Sequence, residues 1–311
     1  MGKKIKRLRV VRYDLSRPDA DISSGGTKEQ LMSDTEYEGR WGKVICEKQY
    51  GAEGLLEQQT EYEYNDQGFL TREIIREADG EIMNDRSWEP DSQGRVLREY
   101  HHYADGSKDS IDYKYDESGR LIMKTLTDED EDVEHCEIFE YDSEGLLIRE
   151  SVYYDDAALV VSGRQGEAEQ EKVYKYADHL LIEFNERDTP GGLVRRRVNE
   201  FDENGRRIKM TVFDENDQPV ERVSFVPDGE GRPVEVIEET RKKKNTLKME
   251  YTSQGNVAFQ EEYDMHGNLL NRIERSYDDE GRVDESRALV NNPVHGVRRQ
   301  YIVKHHYEFF E

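Results

Sequence analysis

The residues best equipped for chemistry lie in one stretch, Thr125–Leu147, TLTDEDEDVEHCEIFEYDSEGLL, which carries ten acids and no lysine or arginine. Its densest part is Asp128, Glu129, Asp130, Glu131 and Asp132, a supply of carboxylate oxygens such as calcium wants from one loop. An EF-hand loop also needs a glycine at its bend and a bidentate glutamate at loop spacing, and neither is there. The run therefore reads as a solvated, heavily charged turn or as an acidic docking patch. Adjacent histidines such as His101 and His102 point to opposite faces of a strand, so they cannot easily chelate one ion.

Nucleophilic catalysis finds no pattern either. There is no Gly-x-Ser-x-Gly elbow, and Cys46 and Cys136 are far apart, in no CxxC spacing, which reads as two free thiols. Paired carboxylates are too abundant for any two to be singled out. SSGGTK (Ser23–Lys28) lacks the full phosphate-loop spacing. The basic clusters Lys3–Arg9, Arg195–Arg197 and Arg241–Lys244 read as charge-paired sheet surface. The expectation is a protein that is not an enzyme, with no cofactor and no metal.

Composition narrows the partners. The 311 residues hold 70 acids against 45 bases, a formal charge of −25, so nucleic acid and anionic membranes are disfavoured and a basic protein is permitted. No apolar core follows the basic start MGKKIKRLRVVRYDLSR, and no run of roughly 20 apolar residues exists. A cytoplasmic protein is expected. The hydrophobic share is only 34%, yet 19 tyrosines and 9 phenylalanines at regular spacing argue for a folded, thin structure.

The elements that would position these residues come from a repeat. Turn glycines Gly68, Gly94, Gly119 and Gly145, then Gly205, Gly231, Gly255 and Gly281, recur about every 26 residues, with half-period turns at Gly80, Gly106 and Gly267. Each repeat is two turns and two strands, an all-β chain of hairpins. In YDSEG, Asp142 can bond the turn it starts, and Gly145 can take a positive φ at no steric cost. Such a turn sets Tyr141 opposite Leu147 as an aromatic–aliphatic pair. Tyr64 with Leu70, Tyr115 with Leu121, Tyr251 with Val257, Tyr263 with Leu269 and Tyr277 with Val283 follow the same rule.

The heptad Tyr115-Asp116-Glu117-Ser118-Gly119-Arg120-Leu121 resembles the YD repeat of the RHS family, and related copies run from Tyr50 to Val283. The resemblance implies a long antiparallel sheet that spirals, in large members around a toxin. This chain is short for a whole shell and lacks the self-cleaving core motif and a toxin domain.

The expected fold is therefore an extended, twisted antiparallel sheet of consecutive hairpins, open or partly spiralled. An atypical N-terminal cap spans 1–49, the array 50–288 with an irregular insertion at 155–172, and a C-terminal cap 289–311. The expected function is a non-enzymatic scaffold for a protein partner, by family likeness an immunity, chaperone or partial-shell component for a toxin or secreted effector. Contacts would come from Asp128–Asp132 and from the apolar Leu159, Val160 and Val161 of the insertion. Carbohydrate binding and an unrecognised hydrolase are the alternatives.

Overall fold

A computed structural model describes residues 3–15, 28–188, 192–292 and 297–311. The segment RPDADISSGG and most of NNPVHG lie outside the described residues, and with them most of SSGGTK. The turn-and-strand rhythm gives 22 strands. Within 1–49 stand β1 (Ile5–Asp14), β2 (Lys28–Tyr37) and most of β3 (Val44–Tyr50). Then come β4 (Leu56–Tyr64), β5 (Leu70–Glu77), β6 (Ile82–Pro90), β7 (Val96–His102) and β8 (Lys108–Tyr115). Next are β9 (Leu121–Thr127), β10 (Val133–Tyr141) and β11 (Leu147–Tyr153), followed by the short helix α1 (Ala157–Val161). After it run β12 (Gln170–Ala177), β13 (Leu180–Asp188), β14 (Gly192–Phe201), β15 (Arg207–Phe213) and β16 (Pro219–Pro227). The last six are β17 (Pro233–Thr240), β18 (Lys244–Tyr251), β19 (Val257–Tyr263), β20 (Leu269–Tyr277), β21 (Val283–Asn292) and β22 (Val297–Phe309). They gather into two compact units: Met1–Glu63, Ile74–Met83 and Phe225–Glu311 form the first, Tyr64–Glu73 and Asn84–Ser224 the second.

The hairpins form for local reasons. In the β10–β11 turn the Asp142 N–H donates to Leu146 O (2.9 Å) and the Gly145 N–H to Asp142 O (3.1 Å). The Asp142 carboxylate accepts from the backbone of Glu144 and Leu146, and Gly145 sits at φ 85°. Tyr141 pairs with Leu147, then the register skips Ile148, so that Glu140 faces Arg149. The connection between β12 and β13 is tighter: Asp178 (φ 50°) and His179 (φ 62°) form a two-residue turn, both in the left-handed region a type I′ hairpin demands.

A second set of contacts locks one repeat to the next. Tyr141 Oη donates to Leu121 O (2.8 Å), Tyr115 Oη to Val96 O (2.8 Å) and Tyr277 Oη to Val257 O (2.7 Å). Each tyrosine thus binds the carbonyl of the residue two past the preceding turn glycine. The arginine of Gly-Arg-Leu supplies the other half. Arg120 Nε binds Asp116 Oδ2 (2.7 Å) while its guanidinium lies 4.9 Å from the Tyr141 ring centre. Arg95 over Tyr115 and Arg232 over Tyr251 repeat the arrangement. Tyr141→Phe removes one phenol hydrogen bond and is expected to cost about 1 kcal/mol, read as a lower urea midpoint at unchanged slope.

Bulges at both turns of a repeat put alternate turn aromatics on opposite faces. Tyr251 pairs with Val257 but Tyr263 with Thr246, five residues from Tyr251 along β18, so Tyr263 lies across the sheet from Tyr251. Within each unit the face that carries these tyrosines, Tyr115 and Tyr141 in the second and Tyr251 in the first, is termed the tyrosine face. Its strand positions, among them Tyr113, His135, Glu137 and Phe139, are half-buried. The opposite face exposes charge at Lys114, Glu134, Glu140, Lys248, Glu250, Arg272 and Glu274, and it also holds the buried Cys136 and Ile302.

Chain closure corrects the expected architecture. The strands belong to one 22-stranded sheet, and β1 takes β2 on one side and β22 on the other, from Ile5 against Phe309 to Asp14 against Tyr301. The first and last strands pair, so the sheet is closed, a β-barrel in topology, and is neither open nor partly spiralled. Local hairpin signals do not encode this step. The aromatic run at the C-terminus lies in β22, which pairs with β1 on one side and β21 on the other. A spiralling shell of the RHS kind fails for the same reason, and that assignment is withdrawn.

Candidate functional site: the charged tyrosine face

The most organised polar constellation lies on the tyrosine face of the second unit. Glu73, Arg86 and Glu99 follow one another at half-period spacing, as do Lys124, Glu137 and Glu150. Pairing sets them on neighbouring strands, and they form ion pairs across the sheet. Arg86 Nη2 lies 2.7 Å from Glu73 Oε1, and Arg86 Nη1 lies 3.7 Å from Glu99 Oε1. Lys124 Nζ meets Glu137 Oε2 at 3.2 Å, and Lys172 Nζ meets Glu150 Oε2 at 3.2 Å.

Glu99 is the centre of the first cluster and is only 7% exposed. Its Oε1 lies 2.9 Å from His101 Nε2, and its Oε2 accepts from Tyr113 Oη at 2.9 Å. Burial pushes the carboxyl up, but the bonds from His101, Tyr113 and Trp88 outweigh it and hold Glu99 below the usual carboxylate range. Tyr113 is pushed up in turn, by burial first and then by Glu99. A second cluster repeats the pattern, with Tyr174 Oη on Glu150 Oε1 at 2.6 Å. Tyr174 packs on Phe184, with ring centres 5.3 Å apart, and the Arg197 guanidinium lies over the other ring of that pair at 5.2 Å.

Among the described residues the buried Nε–H groups of Arg86 and Arg197 have no acceptor, nor has the buried Oδ1 of Asn199 a donor. Such groups on a half-buried face need water or a solute to satisfy them. The carboxylates are consumed by ion pairs and phenol hydrogen bonds, which suits holding charge and not moving protons. Among the described residues no group of three or more His, Cys, Asp or Glu side chains is placed to hold a metal ion.

The sites expected from sequence fall elsewhere. Asp128–Asp132 form the β9–β10 turn, in which Asp128 Oδ1 accepts from the backbone of Asp130 (3.0 Å) and Asp132 (2.8 Å). Asp128 thus does what Asp142 does, and Glu131 takes the glycine's place at φ 66°. Leu159, Val160 and Val161 are half-buried in α1, whose Ala157 is buried and whose backbone meets the Cys136 thiol. By strand alternation this connection and the acidic turn leave the sheet at the same end. Arg195 and Arg196 are ion-paired, to Glu221 and to Asp217 and Glu183, whereas Arg197 makes no ion pair among the described residues. Sequence reading missed the Glu73–Arg86–Glu99 ladder. Its signal is the half-period spacing of alternating charge, visible once the turns are aligned.

The depressed carboxylates set an acid limit. Asp116, Asp202 and Asp278 lie below the usual carboxylate range, chiefly through the backbone N–H of Arg120, Arg206 and Arg282 and further through their guanidiniums. A folded pKa below the unfolded one gives stability that is present above the unfolded pKa and lost as pH falls through the folded one. His305 on β22 obeys the same sign: burial pushes it down, so its contribution begins to fall below about pH 6.5. Thermal midpoints are expected to decline gently from that pH and steeply below about pH 4, and His305→Gln should remove the first phase only.

These features define a closed antiparallel β-barrel with a charged, half-buried face. No protein-family model matches the chain, and no curated protein matches it. Among solved structures, a porin-like protein from Bacteroides uniformis is 8% identical with a TM-score of 0.33, each chain covered to 98%. A porin-like protein from Bacteroides vulgatus is 10% identical with a TM-score of 0.25, each covered to 99%. The Tc holotoxin pore of Photorhabdus luminescens is 12% identical with a TM-score of 0.22, covering 86% of this chain and 19% of that one. Likenesses of this size leave the fold to rest on the strand pairing above.

Two further expectations are corrected here. The scaffold role for a toxin or effector, as immunity, chaperone or partial-shell component, assumed an open sheet, and the β1–β22 pairing removes that premise. Its carbohydrate alternative needed free aromatic platforms, but the repeat tyrosines are tied to backbone carbonyls. The hydrolase alternative needed a free acid or base, and the carboxylates of this face are paired. The cytoplasmic assignment rested on the lack of an apolar helix. No helix among the described residues is long and apolar enough to cross a membrane, which says nothing of a β-barrel, so that lack supports no location. The assignment is withdrawn, and so is the RHS-repeat description.

Proposed function

We propose that this chain is a transport-type barrel whose tyrosine face accommodates small hydrophilic solutes. The observation that carries the reading is the lining. A closed sheet built only for stability would turn aliphatic side chains inward, whereas this one sets Glu73, Arg86, Glu99, Lys124, Glu137, Glu150 and Lys172 on its shielded face. A polar interior is also the property that lets water and solutes enter a barrel. The unsatisfied Nε–H groups of Arg86 and Arg197 favour solutes that carry an oxyanion or another acceptor. The charged opposite face favours water over lipid hydrocarbon, so the reading is of a solute carrier and not a lipid-spanning pore.

Equilibrium dialysis against a panel of small polar solutes tests the carrier, and planar-bilayer recording tests the pore. Saturable uptake that weakens in Arg197→Met, with no conductance steps, supports the reading. Stepwise conductance, or no uptake by the folded protein, overturns it.

A further inference from the structure

A cavity of about 310 Å³ opens in the first unit, on the exposed-charge side of the sheet. It is lined by Arg272 and Glu274 of β20, Arg287 and Leu289 of β21, Arg298 and Gln300 of β22, and by Leu15, Ala288 and Tyr301. Strand pairing explains the convergence. Arg272 faces Leu289, and Leu289 faces Gln300, so the three lie abreast across the sheet. Arg298 is two residues from Gln300 along β22 and shares its side.

The polar groups differ in how far they are already used. Arg272 is held by Glu261 and Arg287 by Glu285. Arg298 is exposed and makes no ion pair among the described residues, in a protein with a formal charge of −25. Gln300 Oε1 is buried without a donor, although the Gln300 backbone oxygen is taken by the Leu15 N–H at 2.9 Å. One guanidinium thus lacks an anion, and one buried acceptor beside it lacks a donor. Leu15 and Leu289 add an apolar wall.

We propose that this cavity binds a small carboxylic acid bearing an α-amino or α-hydroxyl group and an aliphatic tail. The carboxylate lies on Arg298. The amino or hydroxyl hydrogen satisfies Gln300 Oε1, and the tail covers Leu289. A cavity of this volume is at the small end of ligand sites, which matches such a molecule. Arginine is suited to the carboxylate because its two N–H groups meet both oxygens.

Isothermal titration of the full chain with leucine, 2-hydroxy-4-methylpentanoate, 4-methylpentanoate and inorganic phosphate tests the assignment. Leucine and the hydroxy acid are expected to bind saturably, about tenfold tighter than 4-methylpentanoate, which lacks the donor. Arg298→Gln, at an exposed position, should weaken all three carboxylates by about tenfold or more. Gln300→Leu should erase the preference for the donor-bearing acids. Phosphate binding as tightly as leucine, no binding at millimolar concentration, or unchanged affinity in Arg298→Gln overturns the proposal. The cavity is built by the first unit and the charged lining of the carrier by the second, with no residue shared, so either reading can fail without the other.

Discussion

Replacing Glu99 by leucine is expected to lower stability by about 3 kcal/mol at neutral pH, the largest loss from any one position of the polar lining. Glu99 is nearly buried and serves His101, Tyr113 and Arg86 together. Leucine matches its bulk but leaves the half-buried Tyr113 phenol without its acceptor, at about 1–3 kcal/mol, and removes the acceptor of the partly exposed His101 as well. Arg86 keeps Glu73 and is partly exposed, so its share of the loss is small. Glu99→Gln should cost less than half as much, because its carbonyl oxygen still accepts one of these bonds. Urea unfolding of both variants, with Tyr113→Phe to complete a double-mutant cycle, separates the phenol's contribution from the rest. Equal losses for leucine and glutamine would show that charge, and not hydrogen bonding, governs the cluster.

Ile302→Ala should be comparably severe, at about 3–4 kcal/mol. Ile302 is 0% exposed, pairs with Tyr13 on one side and Arg287 on the other, and shares its face with the buried Val11 and Leu289. This is the apolar core of the seam where the chain's ends meet. Truncation removes the transfer energy of the lost methyl and methylene groups and leaves a cavity that two flanking strands cannot easily collapse. Ile302→Val is the control, at about 0.5–1.5 kcal/mol. Thermal and urea midpoints of the pair measure both losses.

The hairpins are legible in sequence because every determinant is local. Asp142 and Gly145 set one turn, and the turn sets Tyr141 against Leu147. The arginine of each heptad is legible as a repeated letter but not as a lock, because its aromatic partner belongs to the following repeat. Closure is not legible at all. β1 and β22 stand at opposite ends of the chain, and neither carries a mark of the other beyond β-prone composition. DEDED drew attention as a candidate site because charge is conspicuous, yet Asp128 there performs a turn duty. The Glu99 cluster is inconspicuous in sequence because its members are spread over four strands.

The central claim is that the sheet closes through β1 and β22. Arg9 and His306 are paired across that seam, and both are exposed on the same face. Cysteines at these two positions, in a chain with Cys46→Ser, should therefore form an intrachain disulfide under mild oxidation, because paired strands hold Cα atoms within bridging distance. A single faster-migrating, reducible band at low protein concentration is the expected result. Free thiols throughout, or only intermolecular dimers, would contradict closure.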